Sequence, residues 1–94
     1  MGQQNREAAE PSIRKPAPAW TDKQGQYLAF IYAYTKVMGC PPAQADIQRH
    51  FRVTPPSVHQ MVLALERNGW LRRTPGEARS IEVIIEPEAL PVLR

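Results

Sequence analysis

The 94 residues, 43% of them hydrophobic, suffice for one small domain with a single modest core and leave no material for a second. No apolar run approaches the roughly 20 residues that a membrane span needs, and the charged start at Arg6 and Glu7 leads into no apolar leader. One cysteine, Cys40, excludes an internal disulfide framework and fits a reducing cytoplasm, while a net charge of +3 is only mildly basic.

Residues 1–19 carry Pro11, Pro16 and Pro18 among polar residues, with Ile13 as the only large apolar side chain. Such a stretch cannot bury enough surface to offset its ordering entropy, so a disordered arm is expected, with Arg14 and Lys15 available to phosphate. The ordered domain is expected over 20–86 and a C-terminal tail over 87–94.

Thr21-Asp22-Lys23-Gln24 has the form of a capping box, in which Thr21 accepts from the Gln24 amide and Gln24 reaches back. Tyr27, Ile31, Tyr34 and Met38 then recur at helical spacing, with Leu28 and Phe30 widening the stripe. This predicts an amphipathic helix over 21–38, stopped by Gly39. Gly25 in its first turn should cost about 1 kcal/mol relative to alanine.

Cys40-Pro41-Pro42 forces an extended link, because the residue before a proline is pushed out of the helical region. A second, short helix is expected from Ala43 to Phe51, with Ile47 and Phe51 inward and Asp46 at the positive end of its dipole. Arg49, His50 and Arg52 gather at its other end, where they suit the dipole and could meet phosphate.

After the turn at Arg52-Val53, Thr54 caps a third helix, and Pro55 takes the first helical position, where a missing N–H is harmless. Val58, Met61, Val62 and Leu65 share one face. Pro56, His59, Gln60, Leu63, Ala64 and Arg67 share the opposite one, and Asn68-Gly69 ends the helix. Its free N-terminal N–H groups and Ser57 are expected to suit a phosphate.

Trp70 to Arg73 then extends, 74–79 turns, and Ser80 to Ile85 extends again, with Ile81, Val83 and Ile85 on a buried face. The tail beyond Pro87 offers only Leu90 and Leu93 for docking.

Helix, helix, short turn, helix and two-stranded hairpin is the order of a winged helix-turn-helix, a mainly α fold with a small antiparallel wing. In that fold the third helix enters the major groove and the hairpin loop meets the flanking backbone or minor groove. Residues 21–86 hold eight cations against six carboxylates, and six of the eight are arginines between 49 and 79. Arginine's planar fork of donors matches phosphate and guanine edges. Arg72, Arg73 and Arg79 bracket the loop expected to lie on the duplex, and Gln60 can pair with adenine bidentately while His59 donates to guanine or phosphate. Leu63 offers a thymine methyl contact or a protein contact. Cys40, His50 and His59 lack zinc spacing, the carboxylates are scattered, and there is no glycine-rich phosphate loop, so no metal, cofactor or catalysis is expected.

Four segments, Thr21-Asp22-Lys23-Gln24, Gly39-Cys40-Pro41-Pro42, Val58 to Leu71, and Gly76 to Ile81, together resemble the DNA-binding domain of LexA repressors over about residues 21–84. The resemblance implies that sequence is read by Thr54, Pro56, Ser57, His59 and Gln60, with the wing at Gly76 to Arg79. It also marks departures. The family usually carries an Asn and two Glu where Pro56, His59 and Gln60 stand, which implies an operator other than the usual one. Ala43 stands where a capping Thr is usual, at a cost of roughly 1 kcal/mol. The self-cleaving, dimerising peptidase domain of the family is expected to be absent from this chain. Double-stranded DNA is thus the expected partner, with a homodimer, tandem sites or a partner protein supplying the second half-site. The competing expectation is a winged helix used as a protein-interaction module.

Overall fold

The computed structural model describes residues 19–94, so the expected arm, with Ile13, Arg14 and Lys15, lies outside the described residues. Three helices follow one another: α1 (Asp22–Met38), α2 (Gln44–Phe51) and α3 (Pro55–Arg67). A two-stranded antiparallel sheet, β1 (Leu71–Arg72) and β2 (Glu82–Val83), pairs Leu71 with Val83 and Arg72 with Glu82. The architecture is a winged helix-turn-helix.

The capping box at the start of α1 is complete. Thr21 Oγ1 accepts from the Gln24 N–H at 3.1 Å, and Gln24 Oε1 accepts from the Thr21 N–H at 2.9 Å. The helix stops at Gly39, whose φ of 81° is open to a residue without a Cβ and strained for most others. Three faces meet in one core: Tyr27, Leu28 and Ile31 from α1, Ile47 from α2, and Val58, Val62 and Leu65 from α3. Leu71 and Ile81 close it from the hairpin. Each such fully buried aliphatic side chain contributes about 1.5–3 kcal/mol. Tyr27 stacks on Phe51 with ring centroids 4.2 Å apart, which draws α2 against α1.

Met38 departs from the expected stripe. It is 60% exposed and Val37 81%, because the last turn of α1 lies outside the reach of the core. Leu63 is half-buried rather than displayed on the outer face of α3. The strands are shorter than the extended segments suggested, although Ile81, Val83 and Ile85 do face inward relative to exposed Glu82 and Ile84.

The start of α2 has half a capping box. Ala43 has no side-chain acceptor, but Asp46 Oδ2 accepts from the Ala43 N–H at 2.9 Å. The helix ends at Arg52 in a left-handed conformation, φ 57° and ψ 49°, with its N–H on the Gln48 carbonyl at 2.8 Å. A non-glycine residue there costs about 1–2 kcal/mol. The compensation is a sharp turn that brings Val53 onto the core and aims α3 across α2.

Residues 87–94 dock on α1. A short 3-10 turn, Pro87–Ala89, delivers Leu90 to the core and the Pro91 ring to Gly25. Gln26, only 6% exposed, donates from Nε2 to the Val92 carbonyl at 2.9 Å and accepts the Arg94 N–H at Oε1, also at 2.9 Å. Both ends of its amide are therefore satisfied, which is what permits a buried polar side chain. Arg94 then pairs with Asp22 and holds that carboxyl below its ordinary value.

Candidate nucleic-acid interface

Burying Val58, Val62 and Leu65 leaves the opposite face of α3 to solvent. Thr54, Pro56, Ser57, His59, Gln60 and Arg67 are all exposed on the side away from the core. His59 and Gln60 are adjacent, and Arg67 lies two turns beyond Gln60 on the same stripe. An open groove runs between this face and the first turn of α1, lined by Gln24, Pro56, Ser57, Gln60, Met61 and Ala64. Gln24 belongs to this surface only through tertiary placement. In sequence it signals no more than a helix cap.

The first turn of α3 does not provide the free N–H groups expected of it. Pro55 and Pro56 carry none, and the Ser57 N–H points to Thr54 Oγ1 at 3.4 Å. The two hydroxyls are also bonded to each other at 2.9 Å. A phosphate at this end would thus be held by hydroxyls or a nearby cation rather than by a cradle of backbone amides. The Pro-Pro pair already encoded this outcome.

All three arginines of the wing have partners within the domain, although Arg72 and Arg79 stay 66% and 45% exposed. Arg72 Nε meets Glu82 Oε1 at 2.9 Å across the strand pair, and Arg73 Nε meets Glu66 Oε1 at 3.2 Å, tying the hairpin to the end of α3. Arg79, left-handed at φ 55°, turns back from the loop. Its Nη1 lies 3.1 Å from Asp46 Oδ2, 3.2 Å from the Tyr34 hydroxyl and 3.3 Å from the Pro41 carbonyl. Hydrogen bonding to Tyr34, then attraction to Asp46, raises the affinity of this guanidinium for its proton still further.

Asp46 gathers the other half of this arrangement. Its Oδ2 takes the Ala43 N–H, the Tyr34 hydroxyl at 3.3 Å and Arg79, and its Oδ1 takes Arg49 at 2.6 Å. The Ala43 N–H first, then Arg79, Tyr34 and Arg49, hold the carboxyl below its ordinary value against the opposing effect of burial. Asp46 was legible as a dipole partner, but its link to Tyr34 and Arg79 was not, since those residues lie 12 and 33 positions away. Among the described residues, Arg52 and Arg67 are exposed arginines with no carboxylate partner, which leaves them as free positive charge beside the two ends of α3.

Gly76 occupies the loop tip at φ 78° with open space around it, and Glu77 beside it is exposed. The described residues hold no cluster of histidine, cysteine and carboxylates able to bind a metal, and no helix among them is long and apolar enough to cross a membrane.

Comparison with known proteins agrees with this geometry. Residues 18–80 match the family model of the LexA DNA binding domain. The chain is 39% identical over 72 residues to a LexA repressor of Thermosipho africanus, covering 77% of this chain and 36% of the relative. It is 43% identical over 75 residues to that of Pseudothermotoga lettingae, covering 78% and 37%, and 37% identical over 71 residues to that of Bartonella quintana, covering 74% and 30%. It therefore spans about a third of the length of these curated relatives. With the helices, the wing and the matched segment in agreement, the chain belongs to the LexA DNA-binding domain family.

Proposed function

We propose that the chain binds double-stranded DNA sequence-specifically, with α3 in the major groove and the wing at 74–80 on the flanking backbone or minor groove, and that it represses transcription. The observation that carries this reading is the exposure of Pro56, His59, Gln60 and Arg67 on one side of a helix whose other side packs into the core. A helix held this way presents side chains to base edges without unfolding. The role is binding rather than catalysis.

Gln60 is assigned to an adenine and His59 to a guanine or a phosphate. Arg67 and Arg52 are assigned to the backbone, since they are the unpaired cations nearest α3. Because Pro56 has no side-chain donor, readout shifts toward His59 and Gln60, and the preferred site differs from the family's usual one. A monomer of this size covers one half-site, so specific binding uses a homodimer, tandem sites or a partner that supplies dimerisation. The reading implies residence in the cytoplasm, on the nucleoid.

Selection from a random duplex pool, repeated with Gln60→Ala, tests it. The expected result is one enriched motif and, for the variant, a loss of about 1–3 kcal/mol with relaxed preference at a single position. Absence of both enrichment and low-salt binding would instead favour a protein-interaction module, a reading to which the internally paired wing arginines lend weight.

A further inference from the structure

The wing loop is knotted within itself but tied to the rest of the domain at few points. Ser80 Oγ accepts from the Thr74 N–H at 3.0 Å and faces the Thr74 and Glu77 carbonyls at 3.1 and 3.0 Å, while the Glu77 N–H meets the Thr74 carbonyl at 3.1 Å. Residues 74–80 are therefore tied into one body. The flanks of that body are held by the Arg73–Glu66 pair and by Ile81 in the core, and from within it Arg79 reaches out, its single Nη1 nitrogen meeting Asp46 of α2, Tyr34 of α1 and the Pro41 carbonyl of the link between them.

We propose that Asp46 and Arg79 form a positioning lock that sets the angle of the wing against α3, so that Arg79 serves DNA binding without being a phosphate ligand. The inference rests on the DNA-binding reading given above. Its argument is geometric. Asp46 is only 12% exposed, accepts from four groups at once, and sits in the first turn of the helix that precedes the reading helix. A loop fixed to that point is carried in register with the helix-turn-helix. Released, it would have to be ordered when DNA binds, and fixing even one residue's backbone at that moment lowers affinity about five- to thirtyfold.

The lock and a direct phosphate contact make opposite predictions for Asp46→Asn. This substitution keeps an oxygen for the Ala43 N–H but removes the charge that holds Arg79. If Arg79 were a phosphate ligand, freeing it would leave binding unchanged or tighten it. If the pair is a lock, binding weakens.

The experiment compares the wild-type chain, Asp46→Asn, Arg79→Ala and the double variant on a duplex recovered by selection on the wild type, over a range of salt. It adds {1H}-15N heteronuclear NOEs for residues 75–79. The expected result is a loss of about five- to thirtyfold in each single variant, no further loss in the double, an unchanged salt slope, and lowered NOEs in the loop. Unchanged or tighter binding by Asp46→Asn, with a slope reduced by about one in Arg79→Ala, overturns the proposal. Should the wild type bind no duplex, the DNA reading fails on its own. The NOEs still decide the lock, which a loop as rigid in both variants as in the wild type would refute and a loosened loop would uphold. Arg79→Ala leaves both helix caps intact and serves for that measurement if Asp46→Asn melts.

Discussion

Replacing Gly25 with alanine sets a local rule against a tertiary one. Within a helix, the exchange should stabilise by about 1 kcal/mol, through lower backbone entropy in the unfolded chain. In the folded domain, however, a Cβ on Gly25 would lie 3.0 Å from the Pro91 Cγ, 3.0 Å from the Trp20 Nε1 and 3.1 Å from the Trp20 Cδ1. Neither ring swings away freely. Trp20 meets Trp70 edge to face at 5.5 Å, and Pro91 is held between Leu90 in the core and Val92 on the Gln26 amide. Overpacking of this kind costs about 1–3 kcal/mol, so Gly25→Ala should destabilise by about 1 kcal/mol net and lower Tm by about 4–8 °C in a domain of this size. Thermal and urea unfolding followed by far-UV circular dichroism measure it. Adding Pro91→Ala relieves one contact, so the double variant should lose less than the sum of the two single losses. A rise in Tm for Gly25→Ala would refute the packing argument.

Ala43→Ser supplies the missing acceptor at a position already extended at φ −79° and ψ 162°, and should raise stability by about 1 kcal/mol, read from the urea midpoint. Arg67→Ala should weaken binding to all duplexes alike and flatten the salt dependence by about 0.9 in slope, whereas a change in base preference would contradict a backbone contact. Asp46 is held below its ordinary value of 3.8, so its contribution is present above that pH and disappears as pH falls through the lowered folded value. Acid unfolding should accordingly begin below that point, and Asp46→Asn should make stability less dependent on pH there. An identical acid profile in wild type and variant would show that the carboxylate's bonds contribute nothing.

The helices were legible in the sequence because their signals are local. The Thr21 box, the Thr54 cap, the Pro55 start and the Gly39 stop act within four residues, and backbone hydrogen bonding honours them in the fold. So was the core face of α3, since helical periodicity separates Val58, Val62 and Leu65 from Pro56, His59 and Gln60 without reference to any partner. The shortage of amides at the head of α3 was just as local, in two adjacent prolines and a capped serine, although free N–H groups were expected there.

The charges of the wing were not legible. A sequence counts arginines but does not say which carboxylate each one meets. Arg73 found Glu66, Arg72 found Glu82, and Arg79 crossed to Asp46 and Tyr34 only once the hairpin packed against α1 and α2. The same holds for Gly25 and its neighbour Gln26, of which the sequence signals only the glycine's weak helix start. One became the floor for the Trp20 and Pro91 rings and the other the clasp of the C-terminal segment, through contacts of which those to Pro91, Val92 and Arg94 reach across most of the chain. Local chemistry therefore determined the elements and the exposed face of α3. Long-range packing alone decided which carboxylate each arginine meets, because those pairings join residues that the sequence holds apart.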